Sequence, residues 1–348
     1  MNKRVTLIIG VLLISSITII TIVLQKQNIR LTQANGFKRN FNSHNPSLIK
    51  QVEFPGIERL YPSNSRNIYL GGRDPRWGIL TDLSLKQNDT QKILTNIPPD
   101  LLLFSEGFFE DNIQNIVTTN RPILIRHKTD SSTTTITKLQ VPLLTRLAPI
   151  SSTSMVARSF DTSQTNQIFV KLELNTGKII KENPLFRLNN DGGFSTDGIL
   201  NYDYNTNTIL YIQFYQNIFY ALDSNLNFLY KSKTIDTINT NTSQSRAFSN
   251  PETNKGSRMS SVPLKRTHNG TCVGNGRLYV LGSLHADNES PEITRQNTVV
   301  DIYEIKDGNY ISSFYIPNIN GKKISSIQII NDTLITLTKG TITTWKLP

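Results

Sequence analysis

Between Asp197 and Lys231 the chain reads DGILNYDYNTNTILYIQFYQNIFYALDSNLNFLYK, and its apolar positions fall into four short runs separated by polar turns. The runs are built from Ile, Leu, Tyr and Phe, residues that fit a pleated, half-buried surface, and the turns from Asn, Asp, Ser, Thr and Gln, which bond their own backbone or tolerate turn dihedrals. Four strands of this length make one blade-sized sheet. The same phrase returns at Asn67–Leu94, Leu101–Val141, Ser154–Phe186, Thr271–Asn318 and Lys323–Pro348, a spacing of about 40 residues, the period of propeller blades. Turns such as Asn175-Thr176-Gly177, Asp223-Ser224-Asn225 and Lys306-Asp307-Gly308 mark it. The pattern predicts an all-β β-propeller of six blades, with seven as the alternative count, over 47–348.

The last unit shows only three clear strands, and the run SLIKQVEF at Ser47–Phe54 has no unit of its own. Pairing 47–54 with 323–348 closes the ring and removes a free sheet edge. The segment 234–270 breaks the rhythm: it is rich in Asn, Ser and Thr, carries Arg246, Lys255, Arg258, Lys265 and Arg266, and is too poor in apolar residues to pack a blade. It reads as a long polar loop, either disordered with partial ordering over the ring face or serving a binding role.

Ahead of the propeller, after a short tail at 1–4, Val5–Leu24 (VTLIIGVLLISSITIITIVL) carries no charge and has the length that spans a bilayer core as a helix. Its length and the lack of a small-x-small cleavage site favour a retained transmembrane signal anchor over a cleaved secretion signal. Residues 25–46 read as a polar, basic juxtamembrane spacer. A domain that follows a signal-like segment is expected on the extracytoplasmic side of a bacterial cytoplasmic membrane.

Charge changes this picture little. Lys plus Arg number 37 against 26 for Asp plus Glu, a net +11 that invites a nucleic-acid partner. However, Lys3, Arg4, Lys26, Arg30, Lys38, Arg39 and Lys50 all precede the first acidic residue, Glu53, so the propeller is close to neutral. The excess sits beside the apolar segment, where basic residues attract anionic headgroups. The expected partners are the membrane and a protein, not nucleic acid. Cys272 is the single cysteine, which excludes an internal disulfide and reads as an inert small hydrophobe.

Candidate chemistry is sparse. GGRDPRWG places Arg73, Asp74, Arg76 and Trp77 in one cluster, a composition common at binding surfaces but equally that of a turn cornered by Pro75. Asp197, Asp287 and Glu289, with Asp74 and Asp236, are carboxylates at strand ends that would have to converge on the channel to hold a hard cation. His285 stands beside Asp287 and Glu289, while His44, His127 and His268 form no pair at metal spacing. There is no G-x-S-x-G and no phosphate-binding glycine loop. No catalytic residue and no cofactor is expected.

The phrases GSLHADNESPEITRQNTVVDIYEIKDGNYISSFY at Gly282–Tyr315, STDGILNYDY and ISSIQIINDTLITLT resemble bacterial membrane-tethered six-bladed β-propellers of the TolB/NHL-like kind. The resemblance implies an interaction scaffold outside the cytoplasmic membrane and carries no catalytic residues. It leaves two functions open: a non-enzymatic binding or assembly module, or a channel enzyme, either a metal-dependent hydrolase or a quinone-cofactor dehydrogenase-like propeller.

Overall fold

The computed structural model describes residues 3–32, 34–42, 44–63, 67–86, 91–94, 105–119, 121–161, 167–186, 193, 195–239, 245–250, 255–260 and 264–348. Helix α1 (Lys3–Thr32) precedes a run of strands that form six four-stranded antiparallel sheets. In chain order, strand β1 (Ser47–Glu53) comes first. Blade one follows as β2 (Arg59–Tyr61), β3 (Ile68–Gly71), β4 (Trp77–Thr81) and β5 (Gln91–Leu94). Blade two is β6 (Ser105–Glu110), β7 (Ile113–Thr118), β8 (Ile123–Lys128) and β9 (Thr134–Lys138). Blade three is β10 (Leu144–Ser151), β11 (Ser154–Phe160), β12 (Gln167–Glu173) and β13 (Ile179–Phe186). Blade four is β14 (Gly198–Asp203), β15 (Thr208–Gln213), β16 (Ile218–Asp223) and β17 (Phe228–Lys233). The hairpin β18 (Ser245–Asn250) and β19 (Lys255–Ser260) intervenes. Blade five is β20 (His268–Gly274), β21 (Arg277–Gly282), β22 (Asn297–Glu304) and β23 (Tyr310–Pro317), with the short helix α2 (Pro291–Gln296) between its second and third strands. Blade six is β24 (Ser326–Ile330), β25 (Thr333–Thr338) and β26 (Thr341–Lys346), with β1 as its outer strand, antiparallel to β26 from Ser47↔Lys346 to Glu53↔Thr341.

The inner strands β2, β6, β10, β14, β20 and β24 each touch the next, and β24 touches β2, so the ring is closed and has six blades. Each blade-to-blade seam holds its own apolar cluster. Tyr69 and Phe109 meet between blades one and two, and Val117 and Met155 between two and three. Phe169 and Tyr211 follow, then Phe219 and Tyr303, Tyr279 and Leu334, and finally Leu70 and Ile335. A strand in the middle of a blade is therefore buried on both faces and loses its alternation: all of β15 is buried, whereas β17, on the outside, alternates exposed and half-buried. Cys272 lies in the fifth seam, where burial pushes its thiol far above the usual range, which makes it an inert hydrophobe.

The repeated turns use positive φ. The Gly177 amide donates to the Glu173 carbonyl at 2.8 Å and that of Gly308 to the Glu304 carbonyl at 2.9 Å, both glycines lying in the left-handed region, where a side chain is strained. A Cβ on Gly177 would stand 2.1 Å from the Lys138 carbonyl oxygen of the neighbouring blade. Gly177→Ala is expected to cost about 2 kcal/mol of unfolding free energy, measured by urea titration.

Two expectations need correction and a third is filled in. Two inner strands, β2 and β10, fall outside the repeat units read from the chain, because strands that wall a channel are short or polar and carry little apolar signal. The segment 234–270 is partly ordered, as one of its two readings expects: Thr234, Asp236, Thr267 and His268 are buried, and β18 pairs with β19. Residues 25–46 are not simply a spacer. Residues 25–32 continue α1, and from Asn35 the chain is packed onto blade five, with Phe37 buried among Ile235, Ile238, Leu284 and Ala286 and Phe41 stacked on Tyr315 at 4.5 Å.

Candidate functional site

Because every blade is a four-stranded antiparallel meander, all inner strands run through the ring in the same sense. Their first residues meet at one end of the channel, called here the entry face, and their last residues at the exit face. Loops joining the second and third strands of a blade also lie on the entry face. The channel encloses about 610 Å³ and is walled by residues of all six inner strands, among them Tyr61, Glu106, Arg146, Asn201, Thr271 and Gln328.

The entry mouth is built around Asp197, at the start of β14. Its Oδ2 accepts from Arg146 Nη2 at 2.6 Å and its Oδ1 from Arg158 Nη1 at 3.1 Å. Arg146 also donates through Nε to the Gly198 carbonyl at 2.7 Å. Arg158, 1% exposed, reaches the Gly193 carbonyl and the Thr196 hydroxyl through Nη2 and lies over the Tyr211 ring. Phe214 receives the guanidinium groups of Arg146 at 5.6 Å and of Arg266 at 3.9 Å from its ring centre. On β6, burial raises the pKa of the Glu106 carboxyl, with nearby Arg146 and Arg59 opposing and Asp197 reinforcing the shift. Arginine edges, an aromatic ring beneath them and two carboxyls, Asp197 and Glu106, therefore ring the mouth.

At the exit end, Glu110 is fully buried. One of its oxygens accepts from the Tyr204 hydroxyl at 2.7 Å, and the other has no hydrogen-bond partner among the described residues. Burial, with Asp111 adding, raises its pKa to about 7.

His285, Asp287 and Glu289 come together, but on the N-terminal segment rather than on the channel. Asp287 accepts from the backbone amides of Asn35 and Gly36, and the Asn35 side-chain amide lies 3.2 Å from His285 Nδ1. Arg39, 5% exposed, forks onto Asp301 at 2.7 and 3.0 Å and reaches Glu289 Oε2 at 2.5 Å. The other Glu289 oxygen takes the Tyr315 hydroxyl at 2.7 Å. The Thr237 hydroxyl donates to the Asn35 carbonyl, so the loop after blade four grips the segment from the other side.

Arg73, Asp74, Arg76 and Trp77 lie on the entry face of blade one as a separate set. Arg76 pairs with Asp74, and its hydrogen bonds hold the Asp74 carboxyl below the usual range. Arg73 is 88% exposed on its side chain, with Glu58 3.7 Å away. The Trp77 ring lies against Gly56 and Gly72. The carboxylates Asp197, Asp287 and Glu289 do not converge, since each is taken up by its own donors. Among the described residues no group of three or more His, Cys, Asp and Glu side chains is placed to hold a metal ion.

Sequence reasoning missed Glu106 and Arg146 on the channel wall, Arg158 buried beside the mouth, Glu110 buried at the exit end, and Arg39 in the clamp. The one available signal was SEGFFEDN at Ser105–Asn112, where two carboxyls flank an apolar pair inside a strand.

In α1 the side chains of residues 9–24 are described. Their large apolar members are 46% to 68% exposed, while Ser15, Ser16, Thr18 and Thr21 donate their hydroxyls to carbonyls three or four residues back. Among the described residues no helix is long and apolar enough to cross a membrane.

No protein family and no curated protein matches this chain. Solved structures with similar shape include the Neurospora crassa Pan2 WD40 domain (8% identity, 89% of this chain and 98% of that one, TM-score 0.49). BamB from Moraxella catarrhalis is similar at 10% identity over 87% and 100% of the two chains (TM-score 0.46), and virginiamycin B lyase from Staphylococcus aureus at 11% over 86% and 99% (TM-score 0.47). Likeness at this level carries no functional argument, and the ring of six paired sheets stands on its own hydrogen bonds.

Proposed function

We propose that this chain is a membrane-anchored, extracytoplasmic propeller that acts as a non-enzymatic binding or assembly module, with Val5–Leu24 as a retained anchor. The observation that carries the reading is α1 itself. Over residues 9–24, which by themselves are not long and apolar enough to cross a membrane, none of the large apolar side chains is covered by the propeller and the hydroxyls bond the helix's own backbone, which supports a hydrocarbon surrounding for the uncharged run Val5–Leu24. Binding rather than chemistry is supported by the carboxylates: Asp197, Asp287 and Glu289 all serve contacts within the chain. The entry mouth, with Arg266 exposed and Arg146 half-buried over the covered Phe214 ring, offers the kind of surface that anchors a protein partner.

The channel-enzyme reading retains one observation, the Glu106 carboxyl held between arginines with its pKa raised. A stoichiometric metal ion or bound cofactor in the purified protein, lost in Glu106→Gln, would favour it.

The anchor is tested by expressing the full chain in a bacterial host. The expected result is a protein that stays with membranes through alkaline carbonate extraction, keeps its original N-terminus, and is cleaved by protease added outside the cytoplasmic membrane. A mature N-terminus beyond residue 24, or release by carbonate, would overturn the anchor. Protection from external protease would overturn the orientation. Crosslinking in those membranes, followed by loss of the crosslink in Arg266→Ala, tests the binding mouth.

A further inference from the structure

The segment around Asn35 is docked on the ring at a fixed place. The clamp holds Asn35 to Asp287 and His285 in the loop between β21 and β22, and to Thr237 in the loop after β17. Both loops belong to the entry face. Only residues 33 and 34 lie between Asn35 and Thr32, the end of α1, a connection of roughly 10 Å at full extension. Residues 25–32 extend α1 past the apolar run by about 12 Å. The attachment point is therefore held within roughly 20 Å of the apolar boundary, too short a leash for the opposite face to turn inward while the clamp is closed.

The two faces also differ in charge. Among the described residues, entry-face loops expose Arg73, Arg121, Lys265, Arg266, Lys322 and Lys323 against Glu58 and Glu292, with Glu53 exposed at the adjoining end of β1 and Asp287 already engaged by the segment. Among the described residues, exit-face loops expose Asp82, Asp111, Asp130, Asp307 and Asp332 against Lys86, Lys178 and Lys306, with Lys128, Arg277 and Lys346 exposed at the strand ends beside them. The sequence adds Lys26, Arg30 and Lys38 beside the apolar run.

We infer that the entry face is turned toward the bilayer and lies against an anionic phospholipid surface. The inference rests on the anchor proposed above and adds to it a face, an orientation and a lipid class. Basic side chains near an anionic leaflet are attracted within about a Debye length, roughly 8 Å at physiological salt, so the short leash and the basic face act together. The channel mouth then opens toward the membrane, and its ligands are those that reach it along the lipid surface.

The test uses the full chain, reconstituted in vesicles of phosphatidylcholine alone or mixed with phosphatidylglycerol. A fluorophore is attached at Glu292→Cys on the entry face or Lys306→Cys on the exit face, and lipids with a headgroup nitroxide serve as quencher. Cys272 is buried and stays unlabelled. Quenching is expected to be several-fold stronger at position 292 than at 306, and to rise at 292 when phosphatidylglycerol is present. The rise should vanish in the variant combining Arg73→Gln, Arg121→Gln, Lys322→Gln and Lys323→Gln. Equal or reversed quenching in a protein that still resists carbonate extraction would overturn the orientation. An unchanged rise in the four-glutamine variant would overturn the lipid contact. Release by carbonate would defeat the anchor itself, a separate outcome.

Discussion

Arg39→Ala is expected to destabilise the protein by about 3–5 kcal/mol, because it leaves two buried carboxylates, Asp301 and Glu289, without their cation. The guanidinium is almost fully buried, and its own pKa is raised: burial opposes the charged form, but attraction and hydrogen bonds from Asp301 and then Glu289 outweigh it. Removing the cation also frees the segment it pins. Urea unfolding of the full chain in detergent measures the first effect, and faster proteolytic cutting between residues 32 and 47 the second. The triple variant Arg39→Met, Glu289→Gln, Asp301→Asn should recover much of the loss, since the cost lies in the stranded charges rather than in the missing bond. A loss below about 1 kcal/mol for Arg39→Ala, the range of an exposed ion pair, would refute the buried clamp.

The second large effect is a pH dependence hidden by cancellation. Glu110 has its pKa raised from 4.5 to about 7 by burial. Below pH 4.5 the carboxyl is protonated in both folded and unfolded chains. Between 4.5 and 7 the unfolded chain releases its proton first, so stability falls as pH rises, by about 3 kcal/mol in all. His268 works in the other direction. Burial, with Arg266 adding and the hydrogen bond to the Gln213 carbonyl opposing, lowers its pKa from 6.5 to about 4. Its contribution is full above pH 6.5 and is lost as pH falls toward 4, again by about 3 kcal/mol. The two slopes overlap between pH 4.5 and 6.5 and nearly cancel. Glu110→Gln should therefore be more stable than the parent protein at pH 8 and should uncover a stability that climbs with pH from 4 to 6.5. Unfolding free energies measured at pH 4, 5.5, 7 and 8 check this. A variant with the same pH profile as the parent would refute the account of Glu110.

Where sequence and structure diverge, the divergence follows solvent exposure and distance along the chain. The strands of blade four were legible from DGILNYDY to NFLYK because outer and middle strands carry dense β-branched and aromatic runs. The inner strand β10 (LTRLAPIS) was not, since it carries Arg146 and Pro149 on a channel wall and breaks the apolar run. Turns were legible wherever positive φ demanded glycine or asparagine, as at Gly177, Gly308 and Asn207. The clustering of His285, Asp287 and Glu289 suggested a site. What the pattern concealed is that their donors come from Asn35, Gly36 and Arg39, about 250 residues earlier in the chain. A carboxylate reads the same whether it faces a metal, a solvent or an arginine.

The sequence by itself determined the all-β character and the blade period, because strand length, alternation and turn chemistry are local properties of the backbone, while closure of the ring settled six blades over seven. It also contained the apolar run on which the anchor proposal depends. Only the tertiary structure decided that Asp197 is held by two arginines at the mouth of a channel, that Glu110 is buried with one oxygen unpaired among the described residues, and that the basic segment after α1 is clamped to blade five. Those outcomes depend on which side chains are brought within about 3 Å of one another and which are shut off from water. Closure of the ring sets both, and no window of sequence reports either.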